Sequence, residues 1–310
     1  MFARNPLFAG RGLTIGARAG EAGLCPADHS FVMTEAPDMT RVSKETMAEI
    51  MFERFDAPAV TIESAGVLAL YAQGVWTGVV VDCGNRTKIT PVYEGTVIPH
   101  ATMQSCFGGV DIDSSLTSWL VERHGATYNS AASGQDMQRF KEQHGLVGAE
   151  PGAAGPDAAS LAVKYRMGSG THVQLDRERL LCGERPFAAS LPSGCKGLPQ
   201  AVNWCISKCE SVLRKELFGS IVLCGGTTCL SGFAERMQRD TAALVENRGA
   251  LGGGDRAYAS AAPPAVKVLA PANRKYTPWI GGASLAQMDA FEERLVTAEE
   301  YDERGKDAFA

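Results

Sequence analysis

Ser220 to Gly232 reads SIVLCGGTTCLSG, an apolar strand run that passes straight into a pair of glycines. Ile221, Val222 and Leu223 make the run, and Gly225 and Gly226 stand where the strand should end. Paired glycines permit positive φ and remove the Cβ atoms that would hold a ligand off the backbone. Thr227 and Thr228 add hydroxyls and amides ahead of the helix-patterned GFAERMQRDTAALV, whose first N–H groups would be free to meet an anion. Taken alone, the turn fits a phosphate site or an ordinary strand-to-helix connection, and the second is the commoner use.

A second unit of the same kind lies upstream. Thr77 to Gly84 reads TGVVVDCG, a β-branched run with the pattern of a strand buried on both faces. Asp82 ends it. A carboxylate there can hold magnesium through water while neighbouring amides face phosphates, or it can simply cap a turn.

Strands and helices alternate along the rest of the chain, which makes it α/β. FVMTEA from Phe31 reads as a strand, followed by a helix that Ser43 can cap, with Val42 and Met47 as a hydrophobic staple. Met47, Ile50, Met51 and Phe55 mark a core-facing stripe on that helix, and Pro58 its end. GVLALYAQG reads as a short helix stopped by Gly74. Leu116, Leu120 and Val121 predict a helix between Asp111 and Gly125, and another covers Gln135 to Gln143. LAVKYRM, GSG and THVQL alternate like a hairpin. Residues 147–160 and 249–264 read as flexible inserts, and AVKVLAP as a strand after the second.

Beyond these readings, TGVVVDCG, PVYEGTVIPHA, VLCGGTTCLSG, APANRKYTPWIGGASLA and EEYDERG stand in one order, preceded by FVMTEAP, KETMAEIMFERFDAPAV and GVLALYAQG. Together they resemble actin and the actin-related proteins from about Cys25 to Gly305. Sugar kinases and heat-shock ATPases share that fold, but WIGGASLA and EEYDERG are similar to actin. The resemblance implies an actin-like (ribonuclease H-like) two-domain ATPase fold. Residues 24–76 with 277–310 would form the first domain, incomplete at its N-terminus, and 77–276 the second, leaving 1–23 as an unmatched tail.

It also implies a cleft for ATP or ADP with magnesium. Asp82 takes the place of the aspartate that contacts the magnesium shell, with Gly84 in the same turn. Asn85 stands where the family binds ribose with an acid, and Arg86 where it has glycine. Lys141 and Glu142, in FKEQHGLV, match residues flanking adenine and ribose. Gly109, Gly225 and Gly226 match close backbone approaches, Thr227 joins the nucleotide-binding candidates through its hydroxyl and amide, and Lys275 matches the lysine whose stem lies along the adenine. Tyr71, Leu285, Met288 and Phe291 match positions lining a partner-binding cleft. The last three also follow the spacing of one helix face, which fits a plain core equally well.

Departures from the family pattern shape the functional expectation. Nothing in Met1 to Leu24 matches the first phosphate loop, so the nucleotide is expected to bind weakly or not at all. The small outer subdomain is missing with it, and the FVMTEA strand would then expose an edge unless GLTIGAR or a partner covered it. Ala65 replaces the glutamine that orients attacking water, and Lys88 and Ile89 occupy the stretch of the family's histidine. Hydrolysis needs a positioned nucleophile and a charge-stabilised phosphate, so no ATPase activity is expected. The sequence therefore reads as a shortened actin-related scaffolding protein of the cytoplasm and cytoskeleton, working with actin, actin-related proteins or complex subunits. Its alternatives are an ATP-cycling filament protein and a nuclear subunit of a chromatin-remodelling complex.

Composition excludes other classes. The formal net charge of -5 gives no field for nucleic acid, and no apolar run reaches membrane-spanning length. The 9 cysteines form no CxxC pair and the 5 histidines are scattered, so the thiols are expected reduced and no zinc site is expected. Cys205 and Cys209 stand one helical turn apart. Arg4, Arg11 and Arg18 with no acid before Glu21 faintly suggest a mitochondrial presequence, but without serine the segment reads rather as a flexible tail or a mispredicted start.

Overall fold

The computed structural model describes residues 25–105, 107–124, 131–148, 161–170, 172–188, 196–247 and 263–309. The expectations for residues 1–23 and GLTIGAR, and for most of both inserts, fall outside these residues. The chain forms two compact units, Met1–Trp76 with Thr277–Ala310, and Thr77–Tyr276.

In the first unit, Phe31–Glu35 pairs in parallel with Ala59–Ser64, from Phe31 opposite Val60 to Glu35 opposite Ser64. Val296–Thr297 adds antiparallel on the far side, so Phe31–Glu35 is an edge strand among the described residues. The next helix, Arg41–Glu49, is capped by Thr40, whose side chain accepts from the Ser43 N–H at 3.2 Å. Ser43 is thus inside the helix, and Val42 is 69% exposed and forms no staple. The helix continues as a π-helical turn, Ile50–Arg54. That wider turn shifts the phase of the apolar stripe. Phe52 and Met51 go inward, while Ile50 and Phe55 face solvent, contrary to the expected stripe. Ala48, Met51, Phe52, Ala57, Val60 and Tyr301 form the core, with Phe52 stacked on Tyr301 at 4.5 Å between centroids.

Helix Ala65–Tyr71 packs against helix Thr277–Leu285 so closely that a Cβ on Gly281 would fall 1.7 Å from the Leu68 carbonyl oxygen. Gly74, at φ +64°, follows the first of these helices where the sequence placed its stop.

The second unit is built on a sheet whose order is Val268–Leu269, Ile221–Cys224, Gly78–Cys83, Thr87–Tyr93, Thr96–Val97. Its first three strands are parallel, and Thr87–Tyr93 returns antiparallel and also pairs with Met103–Ser105. Ile221 to Cys224 and Val79 to Val81 are all buried, as continuous apolar runs in a covered parallel sheet require. Glu94 and Gly95, both at positive φ, make the two-residue turn of the Thr87–Val97 hairpin.

Helix Gly109–His124 sends Ile112, Leu116 and Leu120 into the core and leaves Val121 half-buried. Helices Ala131–His144, Leu198–Lys208 and Phe233–Glu246 add Met137, Phe140, Val202, Phe233 and Met237. Cys205 lies in its helix and Cys209 just past the end. Val163–Arg166 and His172–Leu175 form the expected antiparallel hairpin. Arg236, 2% exposed, ion-pairs with Glu184 and Asp240 beneath the Phe187 ring. Among the described residues no helix is long and apolar enough to cross a membrane.

Candidate nucleotide pocket

Parallel pairing of Gly78–Cys83 with Ile221–Cys224 sets Asp82 beside Cys224 and brings the two strand ends together. Gly225 follows at φ +87°, its N–H donating to the Arg274 carbonyl at 3.1 Å. A Cβ at this position would lie 2.6 Å from Asp82 Oδ1, so the turn needs glycine on both counts. Gly226–Cys229 then forms a 3-10 turn in which Thr228 Oγ1 donates to the Gly225 carbonyl at 2.7 Å. The following helix starts only at Phe233, behind Gly232 at φ +83°, where a Cβ would meet the Val147 carbonyl oxygen at 2.6 Å. The helix thus starts where the sequence placed it, with one further turn between it and Thr227 and Thr228 and with its start packed on Val147.

A third turn joins the first two. Gly109 N–H donates to the Gly84 carbonyl at 2.8 Å, and Thr227 Oγ1 donates to the same oxygen at 3.2 Å. A Cβ on Gly109 would stand 2.8 Å from Thr227 Oγ1, 2.9 Å from Gly84 O and 3.1 Å from Lys141 Nζ. Lys141 Nζ donates to the Gly109 carbonyl at 2.9 Å and to the Asp113 carboxylate at 2.9 Å. Only 6% of Lys141 is exposed, so its ammonium is committed to the protein and is not free to contact a base. Burial holds the Asp113 carboxyl above its ordinary value, although Lys141 pulls the other way.

These turns border a pocket of about 200 Å³ lined by Lys141, Glu142, Gly226, Thr227, Cys229, Leu230 and Lys275. Lys275 Nζ pairs loosely with Glu142 Oε1 at 3.7 Å, and Gln138 Nε2 donates to that oxygen at 3.1 Å. A Cβ on Gly226 would be 3.9 Å from Lys275 Cδ and Cε, so the lysine stem passes over the glycine. The sequence reading contained Cys229 and Leu230 within its motif without assigning them to the site. Asp113 it passed over, because a partner 28 residues from Lys141 leaves no local pattern.

Asp82, Gly84, Asn85, Gly109 and Gly225 are not on the pocket wall. Gly84, Gly109 and Gly225 support it through the contacts above. Asn85 is exposed, and its carbonyl abuts Gly108, where a Cβ would come within 2.0 Å. Burial raises the Asp82 carboxyl above the ordinary carboxylate range, opposed by Lys88 and by a hydrogen bond with Cys224. Burial likewise lifts the Cys83 thiol to about 12.

No group of three or more His, Cys, Asp or Glu that could hold a metal occurs among the described residues. One carboxylate still fits magnesium, which keeps most of its waters and takes its remaining ligands from phosphates. A pocket whose wall carries one glycine, a carboxylate and an ammonium fits the base and sugar of a nucleotide. Its volume is below the roughly 300–1,000 Å³ of ordinary ligand sites.

The four residues matched to a partner cleft divide differently. Tyr71, Leu285 and Phe291 are buried, at 5%, 2% and 8% exposure, and only Met288 is half-exposed. They do not share one helix face. Helix Thr277–Leu285 ends at the first of the three, and Met288 caps a separate 3-10 helix, Asp289–Arg294. Tyr71 packs on Trp76 at 4.7 Å.

The actin family model matches residues 17–310. Members of this family generally bind nucleotide with magnesium and interact with other proteins. The match spans both described units and every turn around the pocket, and the chain belongs to the actin family.

Proposed function

We propose that this chain is a scaffolding member of the actin family that binds adenine nucleotide weakly with magnesium, does not hydrolyse ATP, and works through protein partners in the cytoplasm. The carrying observation is the pocket itself. Lys275 and Glu142 line it together with Gly226 and Thr227, and Lys141 is withdrawn into an internal ion pair. In this reading Glu142 and Lys275 hold the sugar and base, the backbone at Gly226 and Thr227 meets phosphates with Gly109 and Gly225 bracing it from behind, and Asp82 holds magnesium through water. Bound magnesium would neutralise phosphate charge. Asn85 can still hydrogen-bond a ribose hydroxyl, but without an acid's charge.

Ala65 supports the absence of turnover. It opens helix Ala65–Tyr71 with a methyl group that can neither accept from nor donate to a water. Titration of the purified full chain with ATP and magnesium should show weak binding that Asp82→Ala lowers by about tenfold or more, the loss expected for one charge-assisted contact. Phosphate release should stay at background at every protein concentration. Tight binding indifferent to Asp82→Ala, or steady phosphate release abolished by a pocket mutation, would overturn the reading. Purification of the tagged chain from cells should recover partner proteins with it.

A further inference from the structure

We propose that Asp113 is a positioning residue for the nucleotide pocket, acting through Lys141 to hold the three turns around Gly84, Gly109 and Thr227 in register. The inference rests on the reading that this pocket takes a nucleotide. Its basis is one continuous set of contacts. The Asp113 carboxylate lies 2.8 to 2.9 Å from Lys141 Nζ, and the same Nζ donates to the Gly109 carbonyl at 2.9 Å. From Gly109 the chain of bonds passes through its N–H to Gly84 O at 2.8 Å, and Thr227 Oγ1 reaches that oxygen at 3.2 Å. Thr227 and Lys141 line the pocket, whereas Asp113 does not. Asp113 therefore touches no part of a ligand's expected place, yet it faces the cation that holds the Gly109 carbonyl, whose own N–H joins that turn to Gly84.

The electrostatics require a partner at this position. Lys141 has 8% of its side chain exposed, and Asp113 20%. A buried ammonium without its carboxylate is an uncompensated charge, and it would swing toward water or another acceptor. The outlet beside it is the pocket that Lys141 already lines, where Glu142 offers a carboxylate. Release of Lys141 would thus remove the bond to Gly109 and put a competing cation beside Glu142 and Lys275. There is little slack to absorb such a shift, because the position of a Gly109 Cβ is already within 3.1 Å of three groups.

A double-mutant cycle on the full chain tests this, with ADP and magnesium titrated calorimetrically against wild type, Asp113→Asn, Lys141→Met and the double variant. Melting temperatures of all forms ensure that each is folded at the titration temperature. Asp113→Asn should weaken ADP binding by about tenfold or more, and Lys141→Met by a similar factor. The double variant should lose no more than either single one, since the two residues act as one unit. Asp113→Glu, which keeps the charge, should restore most of the affinity that Asp113→Asn loses. Unchanged affinity in a folded Asp113→Asn variant, or losses that multiply in the double variant, would overturn the inference while leaving the pocket reading intact. A folded wild type that binds no ADP would overturn the pocket reading itself, and this inference with it.

Discussion

Asp82 sets function against stability. Burial at the end of the Gly78–Cys83 strand raises its carboxyl above the ordinary value, so the folded state favours the protonated form more than the unfolded state does. The sign follows from linkage. The contribution to stability is fully present below the unfolded carboxylate value and is lost as pH rises through the raised folded value, so ionised Asp82 destabilises at neutral pH. Asp82→Asn should therefore melt higher than wild type at pH 7, with the difference shrinking as pH falls through the raised carboxyl value, while magnesium-dependent nucleotide binding falls. Thermal melts across pH 3 to 8 check this, and a variant that melts lower at pH 7 would show that the charge is compensated. The glycines beside Asp82 could be read from the sequence, because a strand running into Gly-Gly demands a close neighbour. The Asp113–Lys141 pair could not, because Lys141 sits in an ordinary polar helix pattern and its partner comes from another helix.

Elements show the same division between local pattern and long-range packing. The strands around Val79 and Val222 were plain in the sequence because continuous β-branched runs bounded by glycine have few alternatives. The end of helix Arg41–Glu49 was not, since the π-helical turn at Ile50–Arg54 breaks the 3.6-residue period on which the stripe was read. That turn closes through Asp56 at φ +49°, with Ala57 N–H bonded to the Met51 carbonyl at 3.1 Å. Asp56→Gly should relieve the left-handed conformation and stabilise the chain by about 0.5–1 kcal/mol in denaturant melts. The opposite change belongs at Gly281. Its missing side chain sets the approach of helix Thr277–Leu285 to helix Ala65–Tyr71, and Gly281→Val would drive atoms into the Leu68 carbonyl. Overpacking here should cost about 1–3 kcal/mol or more, and a Gly281→Val chain that melts like wild type would refute the contact. A helix face through Leu285, Met288 and Phe291 was likewise suggested by spacing, but the first helix stops at Leu285 and the later residues belong to a second.

At the scale of the molecule, the described residues of the pocket all come from Thr77–Tyr276, which also has its own core around Val79, Ile112, Phe140 and Leu223. The unit Met1–Trp76 with Thr277–Ala310 has a separate core around Phe52 and Tyr301. Two cores allow two opening events of different free energy. A ligand held by one unit stabilises only the states in which that unit is closed, by about 2.7 kcal/mol at 100 times its Kd. Native-state hydrogen exchange with saturating ADP and magnesium should therefore slow the amides of Gly78–Cys83 and Ile221–Cys224 by about 100-fold. The amides of Phe31–Glu35, on an edge strand of the other unit, should exchange at their ligand-free rate. Equal slowing in Phe31–Glu35 would show that the two units open together and that the nucleotide stabilises them as one.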